Sequence, residues 1–351
     1  MLPIARLLLL LLVVLAAASA GCSSIGYYWQ AMRGQLELMH KARPIADVIA
    51  DPDTPAELKG TLSQVQSMRD FASRELALPD NGSYRRYADL GRPFVVWNVF
   101  ATDEFSTRPT EWCFPVAGCV GYRGYFREDD ARAFARDQAR RGFDVYVGGV
   151  LAYSTLGWLN DPVLSTFIHY PSVEVARLIF HELSHQVVYL EGDTTFNESF
   201  AVAVENEGVR RWVRAHGTDD MRRAFEQAQS RKGDFLALIE RTRARLDALY
   251  GESGLDSMQM RQRKVQVFDD MRAEYAALKR AWGGFAGYDW WFAEPLNNAQ
   301  LASVAMYTQL VAGFEALLRD SAGDMRAFYE EVARLAKLPE PARTARLSGG
   351  D

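Results

Sequence analysis

The pentapeptide His181-Glu182-Leu183-Ser184-His185 constrains this chain more than any other feature. On an α-helix, residues four apart share a face, about 40° and roughly 6 Å from each other. Two imidazoles so placed can chelate one Zn²⁺. The glutamate between them, about 100° round from the first histidine, flanks the metal and can accept a proton from water. The preceding residues favour a helix. Pro171 and Ser172 suit its first positions, and Glu174 suits the positive end of its dipole. Leu178, Ile179, Leu183 and Val187 make a flank apolar enough to bury. The chain has only five histidines, and a chance match is expected on the order of 0.005 times. The competing reading is a satisfied core histidine pair without a metal.

A catalytic zinc site takes a third protein ligand. The long metzincin pattern would put glycine three residues and histidine six residues beyond His185. Those positions hold Val188 and Glu191, which excludes that class. His40, His169 and His216 form no matched motif. The expected third ligand is Glu198, in Thr195-Phe196-Asn197-Glu198, on a second helix that a turn at Gly192 and Asp193 folds back against the first. Thr195-x-x-Glu198 also reads as a capping box, a structural device that would occupy the same carboxylate. Glu191 is the alternative ligand. Glu205, two turns past Glu198, lies about 10 Å further along the helix. It is either a hydrogen-bond partner for an imidazole or a solvated surface group.

The amino terminus reads as a targeting segment. Arg6 precedes the apolar run Leu7–Ala18, which is shorter than the ~20 residues of a spanning helix and has the length of a signal-peptide core. Residues 1–21 are expected to be removed. Ala18-Ser19-Ala20 fits an ordinary secretory cut. Ser19-Ala20-Gly21-Cys22 resembles a lipobox, with Ser19 where an aliphatic residue is usual. Lipidation of Cys22 is the preferred reading, since the cysteine otherwise has no role. Cys113 and Cys119 then remain as a pair, expected to form a disulfide around Pro115 and Gly118 in an oxidising compartment. The protein is expected on the periplasmic face of a bacterial membrane, held by the lipid on Cys22; a soluble periplasmic protein is the alternative. Net charge is −5 with no Lys/Arg run, and no nucleic-acid partner is expected.

Periodicity and turn residues predict an α+β fold, mostly helical, with a small central β-sheet beside the histidine helix pair. Helices are predicted over 27–49 and 55–78. Phe94–Phe100 and Phe143–Tyr153 are predicted strands, and Gly148-Gly149 inside the second marks a bulge or a close backbone approach. Short strands surround the disulfide over 112–126, followed by a charged helix over 128–141. Helices over 224–250, 258–282, 297–318 and 324–338 complete the chain, with a frayed tail from Pro339. The implied organisation is an N-terminal helical segment (22–90), a metallopeptidase core (91–220) and a helical region packed on it (221–351).

On these residues the chain resembles the gluzincin metallopeptidases, which carry His-Glu-x-x-His on one helix and a ligand glutamate on the next. It is more closely similar to a family of bacterial predicted aminopeptidases, exported and often lipid-anchored. That resemblance spans nearly the whole mature chain. It is carried by Tyr27-Tyr28-Trp29-Gln30, Trp112 to Cys119 with Tyr122-Arg123-Gly124-Tyr125, Ala152-Tyr153-Ser154-Thr155-Leu156-Gly157, Phe180–His185, Phe196–Ala201 and Leu296-Asn297-Asn298-Ala299. It implies one Zn²⁺ per chain on His181, His185 and Glu198, a peptide substrate, and hydrolysis with Glu182 as the base. One departure bears on specificity. Gluzincin aminopeptidases often carry Gly-x-Met-Glu-Asn on the strand beside the site, where the glutamate grips the substrate's α-amine. The comparable Gly148-Gly149-Val150-Leu151-Ala152 has no acid, and exopeptidase and endopeptidase action both stay open.

Peptide hydrolysis also needs a donor for the oxyanion. Tyr153 and Tyr307 are the candidates, each also readable as a packed core aromatic. The strand at 148–152 offers an open edge to a peptide, or else is buried. Two other readings keep the chain non-catalytic: an envelope lipoprotein whose zinc braces two helices, or a partner-binding protein whose helical C-terminal half is the working surface. Structural zinc is usually closed by four protein ligands. Three are visible here, which favours catalysis.

Overall fold

A computed structural model describes residues 26–114 and 118–349. The apolar run 7–18, Cys22 and Pro115 lie outside the described residues. The first helix, α1, covers 26–41. Strand β1 (Arg43–Pro44) separates it from α2 (Ile45–Ala50), so the helix predicted over 27–49 is two helices. Pro44 explains the break, since proline disfavours helical geometry at the residue before it and removes an N–H. Helix α3 (Ala56–Glu75) starts behind Pro55, a position where a missing N–H costs nothing.

The order continues with β2 (Arg86–Ala88), β3 (Val96–Thr102), the hairpin β4 (Trp112–Phe114) and β5 (Gly118–Val120), β6 (Arg123–Tyr125), α4 (Glu128–Arg140), β7 (Asp144–Val150) and β8 (Val163–Leu164). The histidine helix α5 (Ser172–Ser184) and its partner α6 (Thr194–His216) follow. Then come α7 (Asp219–Tyr250), α8 (Ser257–Ala281), the single turn α9 (Asp289–Phe292), α10 (Asn298–Thr308), α11 (Val311–Asp320), α12 (Met325–Leu335) and α13 (Glu340–Leu347). The fold is α+β and mostly helical, as the sequence implies.

The sheet beside the site has the order β6-β3-β7 and is antiparallel throughout. Every residue of β3 is buried, because both faces are covered and alternate residues face opposite ways. Trp97 and Val99 pack with Ala131 and Ala135 of α4. Phe100 packs with Ala299 and Met306 of α10. β7 pairs with β3 one to one from Val96↔Val150 to Thr102↔Asp144, so Gly148 and Gly149 make no bulge. Close approach accounts for Gly149: a Cβ there would meet the Phe94 ring at 2.4 Å. Among the described residues no second strand pairs with β7, which leaves it an edge.

Helix α5 is enclosed, with Val175, Ala176, Ile179, Phe180 and Leu183 all fully buried. Two later segments depart from the sequence-based expectation. The helix predicted over 297–318 is two, α10 and α11. Leu310, at the break, donates its N–H to Ser199 Oγ of α6 at 3.2 Å, so a side chain takes over a bond the broken helix cannot make. The stretch 298–320 is apolar enough to cross a membrane by composition. Here its second half packs on α6, with Phe314 against Phe196 and Phe200. The tail predicted to fray from Pro339 forms α13 instead. Leu347 is buried on one face, and Arg343, one turn earlier, places Nη2 2.5 Å from Asp193 Oδ2. The pair α7 and α8 has a core of its own, Phe235, Leu238 and Leu246 against Phe268, Met271 and Tyr275.

Candidate metal centre

His181 lies in the last turn of α5, and His185 ends the helix while keeping helical geometry (φ −61°, ψ −17°). Their rings stand edge to face with centroids 5.0 Å apart. Helix α6 brings the third side chain. The connecting turn passes through Gly192 at φ 81°, a backbone conformation that side chains disfavour. Asp193 then caps α6, its side chain accepting the Phe196 N–H at 2.9 Å. Asn197 ties the turn to the helix, accepting the Leu190 N–H at 2.7 Å and donating to the Leu190 carbonyl at 2.7 Å. Because Asp193 is the cap, no Thr195 capping box forms, and the Glu198 carboxylate is not drawn into one.

Glu198 Oε2 lies 3.2 Å from His181 Nε2 and 3.7 Å from His185 Nε2. One donor atom from each of the three residues lies within 4.8 Å of the others, and all three residues are buried. This group could hold a metal ion, for two imidazole nitrogens and a carboxylate oxygen are a donor set of catalytic zinc sites. Glu191 is exposed in the turn, outside the group. His40, His169 and His216 do not join it; His216 stacks on Trp212 instead, centroids 3.9 Å apart.

Burial decides between the two readings of Glu205, which is only 6% exposed. Its Oε2 lies 2.9 Å from His181 Nδ1. Arg177 and Lys232 reach its other oxygen at 3.1 Å and 3.4 Å. With Nδ1–H donating to Glu205, the Nε2 lone pair of His181 faces the donor group. His185 is held differently. Its Nδ1 is buried and meets no hydrogen-bond partner among the described residues, and the ring is set by packing against His181 and Tyr189.

Burial is the largest electrostatic influence on each of these groups, and neighbours decide the outcome. Glu182, buried beside the donor set but not in it, is pushed by burial up to about 8. Burial also raises Glu205, but Lys232, the His181 hydrogen bond and Arg177 outweigh it and hold the carboxyl at about 2. For Glu198 the two imidazoles overcome burial and keep the carboxyl below its usual range. Burial pulls His185 down to about 4. In His181 burial opposes the cation, yet the hydrogen bonds to Glu198 and Glu205 prevail and raise its pKa well above that of a free imidazole. A proton and a metal compete for the same His181 nitrogen, so metal binding there releases protons.

Tyrosines border the group. Tyr307, in the last turn of α10 before the break, stacks its ring on His181 with centroids 6.3 Å apart. The Tyr122 phenol is raised well above its usual pKa, first by burial and next by the Glu198 charge. Tyr122 is included in the family resemblance but is given no role by it. It reaches this face because β6 pairs with β3 and its ring packs on Phe100 at 5.8 Å. Tyr153 is placed otherwise, its hydroxyl donating to Gln35 Oε1 of α1. The disulfide Cys113–Cys119 closes the β4–β5 hairpin across directly opposed residues. The hairpin abuts the α5–α6 turn, where a Cβ on Gly118 would come 2.5 Å from Gly192 N. A cavity of about 700 Å³ beside Phe71, Arg211 and His216 holds none of the donor residues.

A family model described as "Putative aminopeptidase" matches residues 26–347. The chain belongs to this family. No curated protein and no solved structure matches it. The aminopeptidase family match runs from the start of α1 to the end of α13, so the donor group, Glu182, Glu205 and the bordering tyrosines all lie within it.

Proposed function

We propose that this aminopeptidase-family member is a zinc peptidase of the bacterial cell envelope, with a gluzincin ligand arrangement. One observation carries the reading: His181 Nε2, His185 Nε2 and a Glu198 oxygen converge, buried, with the Glu182 carboxyl beside them and outside the donor set. Those three residues would hold one zinc ion. When bound, zinc supplies a Lewis acid that acidifies water and polarises a peptide carbonyl.

The remaining tasks fall to the chain. A general base works best with a pKa near the operating pH, and burial puts Glu182 at about 8. Glu182 takes the proton of the attacking water and returns it to the leaving amine. Glu205 and Arg177 fix the His181 ring. Burial keeps the Tyr122 and Tyr307 phenols protonated, able to donate to the oxyanion that develops on the carbonyl. The edge of β7 supports backbone pairing with an extended peptide. Residues 148–152 carry no acid to grip an α-amine, so the reading commits to peptide-bond hydrolysis and not to a chain end. The apolar run 7–18 and Cys22 support export and a lipid anchor. A structural zinc brace is disfavoured by a three-residue donor set.

Zinc content and hydrolysis of a mixed peptide substrate, measured for the wild type and Glu182→Gln, test the reading. The wild type is expected to carry zinc and cleave. The variant keeps zinc and loses a factor on the order of 10²–10⁴ in rate. A protein that takes up no metal, or a variant as active as the wild type, overturns it.

A further inference from the structure

Helix α1 is fixed to the body of the protein by one face. Gln30 Oε1 accepts the Phe126 N–H at 3.0 Å, Gln35 accepts the Tyr153 hydroxyl, and Gly34 and Leu38 are buried. The helix therefore cannot roll, and its other face is committed to the outside. That face carries Tyr28, Trp29, Met32 and Leu36, exposed by 44%, 61%, 48% and 62%. Single exposed apolar residues are ordinary, but a stripe of four within three turns marks a surface that something covers.

We propose that this stripe lies in the headgroup region of a lipid bilayer, giving the protein a membrane contact of its own besides any lipid on Cys22. The chemistry suits that occupant. Tyrosine and tryptophan favour the boundary between water and acyl chains. Glu37 of the helix pairs with Lys41 at 3.3 Å, so α1 keeps the net positive charge of Arg33, which favours anionic lipid. Chain length points the same way. Cys22 stands four residues before the helix begins. Four residues reach at most roughly 14 Å, so a lipid on Cys22 keeps the start of α1 at the bilayer surface. The inference rests on the envelope reading of the leader, and is independent of zinc.

The eight tryptophans of the chain provide the test. The full chain, as isolated from cells, is mixed with phosphatidylethanolamine–phosphatidylglycerol vesicles brominated in the upper acyl chain. Flotation and tryptophan quenching are then read together. The wild type is expected to float and be quenched. Trp29→Phe floats but loses most of the quenching. Leu36→Glu, with Trp29 retained and its side chain outside the packed face, is quenched severalfold less. If the chain floats and Trp29→Phe leaves the quenching unchanged, the stripe faces something else, such as a second copy, and the inference fails while the envelope reading stands. If the chain does not float, the inference fails together with the lipid anchor on Cys22, and a soluble periplasmic protein is left.

Discussion

His181 Nδ1 lies 2.9 Å from Glu205 Oε2, and Arg177 and Lys232 hold the other oxygen of that carboxylate. This contact decides which ring nitrogen faces Glu198. Glu205→Gln keeps the shape but weakens the acceptor and leaves the Arg177 charge less compensated. Zinc affinity is expected to fall by about 10- to 100-fold. Competition with a chelator measures it, and an unchanged affinity would mean that packing alone orients the ring.

The tyrosines separate by what their hydroxyls do. Tyr122 and Tyr307 border the donor group, whereas the Tyr153 hydroxyl is spent on Gln35. Removing the hydroxyl that donates to the oxyanion lowers kcat on the order of 10²–10³ and leaves KM nearly unchanged. That loss is expected for Tyr122→Phe or Tyr307→Phe. Tyr153→Phe is expected to leave kcat alone and cost about 1 kcal/mol of stability, the net worth of one hydrogen bond. Steady-state kinetics beside urea unfolding distinguish them; a kcat loss confined to Tyr153→Phe would reverse the assignment.

What the sequence disclosed follows from how local the signals are. His181 and His185 share a helix face by periodicity alone, and the break at Gly192 and Asp193 announces that α6 folds back. Glu198 is legible as a consequence. Its capping alternative failed because Asp193, one residue before α6 begins, already accepts the Phe196 N–H. Glu205 stayed open because its role depends on burial, and the Arg177 and Lys232 charges that tie it down come from α5 and α7. Tyr122 stood in a segment of the family resemblance without a role, because strand pairing, not spacing, carries it to the site. The break between α10 and α11 depends on Ser199, more than a hundred residues upstream, and the apolar sequence across it carries no local warning.

Asp161 gives the fold a pH dependence away from the donor residues. It is 3% exposed, accepts the Thr155 N–H at 2.8 Å, and burial raises its carboxyl to about 6. A raised folded-state pKa means that the native protein binds the proton more tightly than the unfolded chain. Below the unfolded pKa of about 3.9 this group costs nothing. Between about 4 and 6 stability falls as pH rises, by roughly 3 kcal/mol at most, and it stays lower above that window. Asp161→Asn keeps an acceptor for Thr155 without the charge. It is expected to melt higher than the wild type near pH 7 and alike near pH 4. An equal difference at both values would show that the charge is not the cause.

Arg343 tests whether the carboxy-terminal helix belongs to the site's scaffold. Its Nε and Nη2 lie 2.9 Å and 2.5 Å from Asp193 Oδ2, while Asp193 Oδ1 accepts the Phe196 N–H. One carboxylate thus clamps α13 and caps α6, five residues ahead of Glu198. Both side chains of the pair are nearly buried, 10% and 13% exposed. Removing one partner of such a pair leaves the other charge uncompensated, which costs about 3–5 kcal/mol. Arg343→Ala is expected to lose stability on that scale and to bind zinc more weakly, because the start of α6 is less firmly set. Arg343→Lys keeps the charge but not the fork and falls between. Added zinc should recover part of the stability, since a ligand that binds only the native state stabilises it by mass action. Urea midpoints with and without zinc decide the matter: an Arg343→Ala midpoint equal to that of the wild type would mean that α13 merely rests on the surface.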